Sequence, residues 1–196
     1  MKKNYLLNKS VNKIILLTFA LPVFLQMILI NLIKFVQDET IYYLIFLVFW
    51  SLCLPYFYWL NLSISYLYLN SGLKLNLSLS RFRISILINI MVVLNFIFFV
   101  GYMFSFVFNG GKPDVNIILT LMTIQFVGVI SLIYSSHFIC KLIVSIDLKR
   151  EAKTKDLTIN FMFFLMPIFA VWIIQKKVKK LYSDNVLLET KNNKNF

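Results

Sequence analysis

The sequence predicts an all-α integral membrane protein, a helical bundle of four spans with a fifth, proline-bent hydrophobic segment. Composition is the first observation. Of 196 residues, 60% are hydrophobic and only 14% are charged. A soluble domain needs roughly 25% charged residues to cover its surface, and the mean hydropathy of +0.79 points the same way. The second observation is a set of five long apolar stretches that hold no Asp, Glu, Lys or Arg. The third is the placement of charge. The chain carries 20 Lys and Arg against 8 Asp and Glu, and the basic residues fall in short clusters between the apolar stretches. The positive-inside rule produces that pattern. The expected partner of the net +12 charge is therefore a lipid bilayer with anionic headgroups, and direct nucleic-acid binding is not expected.

A helix needs about 20 apolar residues to cross the hydrocarbon core. The first such stretch, 14–33, follows a basic start as a signal peptide would. It is too long for a signal core and no small-x-small site follows it, so it reads as a retained first span. The second, 41–60, carries Pro55. Its helix is expected to emerge through the headgroup layer, where Tyr56, Tyr58, Trp59, Tyr66 and Tyr68 suit the amphipathic zone, and to stop at Ser71-Gly72. The third, 84–108, is anchored by Arg81 and Arg83. Asn109-Gly110-Gly111-Lys112-Pro113-Asp114 is the clearest turn in the chain and leads into the fourth, 117–139. Segment 141–156 reads as a helical continuation of that span, with Asp147, Glu151 and Lys155 at i,i+4 steps. The fifth stretch, 157–174, has Pro167 near its middle, and 175–196 reads as a basic cytoplasmic tail. Strands are excluded, because a membrane barrel needs alternating polarity and these runs are apolar on every side.

Charge then orients the bundle. Lys2, Lys3, Lys9 and Lys13 precede the first span with no acid among them, and the connections that follow carry net charges of −1, +3, 0 and +2. Basic connections alternate with weakly charged ones, as expected of a bacterial inner-membrane protein with a cytoplasmic N-terminus. A straight fifth span would leave the lysine-rich tail outside, against the rule. A re-entrant segment bent at Pro167 would return it to the cytoplasm, and that arrangement is the favoured one.

The sequence is poor in chemistry. Intramembrane ionisable residues mark proton relays and catalytic sites because they are costly to keep there, and none lies in these stretches. The single histidine, His137, follows Ser135-Ser136. It is a weak functional candidate, as a base or a ligand, since one histidine without a neighbouring carboxylate completes neither a catalytic set nor a metal site. No metal site and no cofactor is expected. Cys53 and Cys140 lack ligand spacing and read as small apolar fillers. Gln26, Asn31, Asn89, Asn95, Gln125 and Asn160 would each turn towards another helix, where interhelical hydrogen bonds average about 0.6 kcal/mol. Packing is the commoner meaning of such residues. A polar path lined by Asn89, Asn95, Gln125 and Asn160 is the sharper one, weakened because Asn89 and Asn95, six apart, share a helical face poorly. The bases Lys176, Lys177, Lys179 and Lys180, with Arg81 and Arg83, are the candidate contacts for lipid or a protein partner.

The string Asp147-Leu148-Lys149-Arg150-Glu151-Ala152, then Phe163-Phe164-Leu165-Met166-Pro167-Ile168, then Trp172-Ile173-Ile174-Gln175 resembles the C-terminal part of a group of small, largely uncharacterised bacterial multi-pass membrane proteins. His137 and Cys140, three apart, fit the same pattern. Phe169 and Lys176 depart from it, standing where the group has glycine and proline. The resemblance covers about the last third of the chain and implies the topology rather than an activity. By length and layout alone, the chain is also similar to the membrane accessory proteins of type VI-B CRISPR loci, which is analogy at the level of the fold. The function expected from these readings is that of a non-enzymatic accessory or effector protein of a neighbouring system such as phage defence, alone or as a homo-oligomer. An oligomeric channel is the first alternative and a lipid-modifying membrane enzyme the second.

Overall fold

The computed structural model describes residues 6–33 and 39–192. Lys2, Lys3, Lys34 and Asp38, counted in the charge balance above, lie outside the described residues. Among the described residues every regular element is helical: Val11–Ile15 (α1), a π-helical turn Leu16–Ala20, then Leu21–Ile33 (α2), Glu39–Asn70 (α3), Leu79–Asn109 (α4), Val115–Leu148 (α5), Thr154–Leu165 (α6) and Pro167–Asn192 (α7). Four stretches are long and apolar enough to cross a membrane: Val11–Asn31, Tyr43–Asn70, Leu79–Phe104 and Val115–Leu148. The chain is an all-α membrane-type bundle.

Local sequence explains the irregularities. Pro22 has no N–H, and its ring crowds the carbonyl four residues back, that of Thr18. The π-turn just before it widens the helix by one residue, so that the Leu21 N–H reaches the Leu16 carbonyl. α3 runs unbroken through the tyrosine-rich zone and ends where expected, with Gly72 at φ 67°. The α4–α5 turn uses Gly110 at φ 69° and Gly111 at φ 116°, values that an L side chain rarely adopts.

The expected helical continuation over 141–156 holds as far as Leu148 and is corrected beyond it. α5 stops at Leu148, and Lys149 closes it in the left-handed region at φ 53°. The cause lies just downstream. Asp156 accepts the Lys153 N–H at 2.9 Å while its own N–H donates to the Lys153 carbonyl at 2.9 Å, a reciprocal cap that starts α6 afresh. Asp147, Glu151 and Lys155 therefore never form a helical ladder. Glu151 pairs instead with Lys141 at 2.6 Å, Asp156 with Arg150 at 3.0 Å, and Asp147 with Lys177.

The fifth stretch is two helices broken at Met166, with Pro167 at the first position of α7, where proline's fixed φ suits helix initiation. α6 leaves beside α5, where the Cys140 thiol donates to the Leu157 carbonyl at 3.6 Å. α7 returns alongside α3. Trp59 meets Gln175 and, seven residues further along both helices, Tyr66 meets Tyr182. The Lys177–Asp147 pair brings α7 back to the end of α5 from which α6 departed. Residues 154–177 thus form a hairpin that begins and ends at one end of the bundle.

That end also holds the core. Leu7, Ile14, Trp59, Ile64, Leu67, Phe82, Phe138, Leu142, Val171, Ile174 and Val178 bury together, with Phe82 stacked on Phe138 at 4.6 Å. Away from it fewer side chains are buried. A small apolar cluster of Ile45, Phe46 and Phe49 ties α3 to its neighbours. The outward half of α5 is exposed at Ile117, Leu119, Met122, Phe126, Val129 and Ile130. So much exposed apolar surface would be untenable in water and is ordinary in contact with lipid tails.

Candidate functional site

The embedded amides and hydroxyls join α4 to α5. Ser85 Oγ sits 2.8 Å from the Ser131 carbonyl, 2.9 Å from Ser131 Oγ and 2.6 Å from Ser135 Oγ. Asn89 donates to Ser135 Oγ at 3.1 Å. Two turns further along, Gln125 donates to Asn95 Oδ1 at 2.6 Å and to the Val92 carbonyl at 3.4 Å. Between these bonds the backbones come close. A Cβ added at Gly128 would overlap the Val92 side chain, with Val92 Cγ2 at 2.9 Å. The expectation that Asn89 and Asn95 share a face poorly is corrected here, because both meet α5. The side chain of Asn160 lies outside the described ones. Beside this seam a cavity of about 310 Å³, floored by Asn89, Gln125 and Ser135, is closed at one side by Phe164 and Pro167 of the hairpin.

His137 stands apart from these serines. Ser135 and Ser136 are buried, whereas the imidazole is exposed on another face of α5. It lines a different pocket, of about 410 Å³, with Asn76, Ser78, Arg81, Tyr134 and Lys141. The 71–78 connection folds back over α5 to build that pocket. Tyr68 donates to the Leu77 carbonyl at 2.8 Å, and Ser78 caps α4 by accepting the Arg81 N–H at 3.4 Å. Glu151 reaches in from the α5–α6 turn to Lys141. The bond from Lys141, with help from the Asn76 N–H, holds the Glu151 carboxyl below the usual carboxylate range. Arg83, two residues from Arg81, faces away and donates to Ser65 Oγ at 3.3 Å.

The four tail lysines divide into pairs. Lys176 lies 3.5 Å over the ring of Trp172, a cation–π arrangement that suits a membrane–water boundary. Lys177 is paired to Asp147. Lys179 and Lys180 are exposed on α7. The residue before this run, Gln175, ends the Trp172–Gln175 string of the resemblance and has a role that its local sequence does not mark. It is fully buried, accepts from Trp59 Nε1 at 2.9 Å, and donates from Nε2 to the carbonyls of Lys9 at 2.9 Å, Leu7 at 3.2 Å and Leu6 at 3.4 Å. A lone amide ahead of a lysine run gives no hint of this. Lys141, Asn76 and Ser78 were missed likewise, since only the fold brings them to Arg81 and His137.

Among the described residues no group of three or more His, Cys, Asp or Glu is placed to hold a metal ion. Comparison with known protein families, characterised proteins and solved structures gives no match for this chain.

Proposed function

We propose that the chain is a non-enzymatic accessory or effector protein of the bacterial cytoplasmic membrane, with its basic, packed end in the cytoplasm and α7 as its docking element. One observation carries this reading. The polar groups at membrane depth bond to one another across the α4–α5 seam, while the exposed bases of α7 stand beside the buried core at the opposite end from the α4–α5 turn. Helices joined this way serve packing rather than permeation. The separation of His137 from Ser135 favours the accessory reading over a hydrolytic one. Among neighbouring systems, phage defence is the one that the chain's size and layout bring forward.

The test has two arms. In proteoliposomes the purified chain is expected to pass ions no faster than protein-free vesicles. In cells of the source bacterium, a photo-crosslinking residue at Ser183 is expected to trap one defined protein partner, and Lys179→Gln/Lys180→Gln to abolish the adduct. Ion flux above background overturns the proposal in favour of a channel. Lipid turnover that disappears in a normally inserted His137→Ala variant overturns it in favour of an enzyme.

A further inference from the structure

We infer that the pocket between the 71–78 connection, the start of α4 and the inner part of α5 binds the phosphate of an anionic phospholipid. The pocket measures about 410 Å³, ample for a phosphate with its glycerol. Its basic side chains come from two elements, Arg81 from α4, His137 and Lys141 from α5.

The charge balance singles out Arg81. Lys141 is neutralised by Glu151 at 2.6 Å. Among the described residues, Arg81 has no ion-pair partner. Its guanidinium presents paired N–H donors matched to two phosphate oxygens. The Ser78 hydroxyl accepts the Arg81 N–H and keeps its own proton to donate. Asn76 and His137 supply further polar edges.

The surroundings indicate which phosphate. Residues three, four and seven apart lie on one face of a helix. Going away from His137 along α5, those positions are Tyr134, Ile133 and Ile130, all exposed; going away from Arg81 along α4, the first is Ile84, also exposed. An oily track therefore leads from the basic pocket along two helices that are long and apolar enough to span the bilayer. A soluble phosphate would make no use of it, whereas the acyl chains of a lipid would lie along it with the headgroup at Arg81. This inference is independent of the accessory role proposed above.

The test is native mass spectrometry of the full chain in mild detergent, titrated with dioleoylphosphatidylglycerol or with dioleoylphosphatidylcholine. One phosphatidylglycerol is expected to bind about tenfold more tightly than phosphatidylcholine, which has the same phosphate but would set its choline cation against the basic side chains of the pocket. Arg81→Gln is expected to erase most of that preference, Arg81→Lys to keep part of it, and His137→Gln to weaken it by about threefold. Lys179→Gln/Lys180→Gln, which removes more charge at another place, is expected to leave it unchanged. Equal affinity for the two lipids, or an unaltered preference in a folded, monodisperse Arg81→Gln chain, overturns the inference. Displacement of phosphatidylglycerol by an equal concentration of glycerol 3-phosphate overturns the lipid assignment in favour of a soluble phosphate ligand.

Discussion

Gln175 bridges three parts of the chain with a single amide, taking the Trp59 indole proton and giving its own to the carbonyls that precede α1. Burial without partners costs about 1–3 kcal/mol per group, so Gln175→Leu, which strands the indole N–H and removes the bond to the Leu7 carbonyl, is expected to lower stability by about 2–4 kcal/mol. Trp59→Phe, which removes the indole N–H, should cost less, and the double variant should cost less than the sum because the two side chains share a bond. Thermal unfolding in detergent micelles measures all three. At the start of α6, the Asp156 carboxyl lies below its usual range, first because the Lys153 N–H donates to it and then because Arg150 does. A carboxyl depressed in the folded state adds stability that is complete above its unfolded value, about pH 4, and is lost as pH falls through the lower folded value. Melting temperature should therefore drop below about pH 4, and Asp156→Asn should flatten that part of the profile. The residue Asp156 was visible in the sequence, but its partner was not. The i,i+4 ladder suggested by Asp147 and Glu151 presumes a helix that Lys149 ends.

At the scale of elements, the α4–α5 seam rests on a close approach at Gly128. Gly128→Ala should push Val92 away and loosen the Gln125–Asn95 and Ser85–Ser131 bonds on either side, at about 1–3 kcal/mol. Val92→Ala should restore much of that loss when combined with it. A double-mutant cycle in detergent unfolding tests this, and strict additivity of the two effects would exclude direct contact. The helices themselves were legible in sequence, because long apolar runs, the Ser71-Gly72 stop and the Gly110-Gly111 turn are local signals. Their pairing was not, since Gln125 bonds a residue 30 positions away and Ser85 one 50 positions away. The π-turn before Pro22 shows the limit of a local reading. The proline announces a disturbance, and the backbone chooses between a kink and a widened turn.

For the whole molecule, the hairpin of α6 and α7 brings Lys153 and Lys180 to the same end as the start of α1, with Lys112 at the opposite end. In a chain with Cys53 and Cys140 replaced by alanine, a membrane-impermeant maleimide should label Lys153→Cys and Lys180→Cys only after the cytoplasmic face is opened. Lys112→Cys should react on intact spheroplasts. Labelling of Lys180→Cys from outside would mean that the fifth stretch crosses. The same architecture explains the uneven packing. The basic end, where helix ends, turns and the hairpin meet, excludes solvent in a core of Trp59, Phe82, Phe138 and Ile174. The apolar outward half leaves its side chains to the lipid, where burial against another helix gains little.

The sequence by itself determined that this is a helical membrane protein, which segments are apolar enough to span, and which end is basic. Each of these follows from transfer free energies and charge counts that depend on composition along the chain and not on contacts. Only the tertiary structure decided that the fifth stretch doubles back, that Gln175 joins α7 to α3 and the start of the chain, that Ser135 belongs to a packing seam, and that Arg81 and His137 share a pocket. Those outcomes depend on hydrogen bonds and ion pairs between residues far apart in sequence, and no local pattern of polarity encodes which distant partner an amide or a guanidinium will meet.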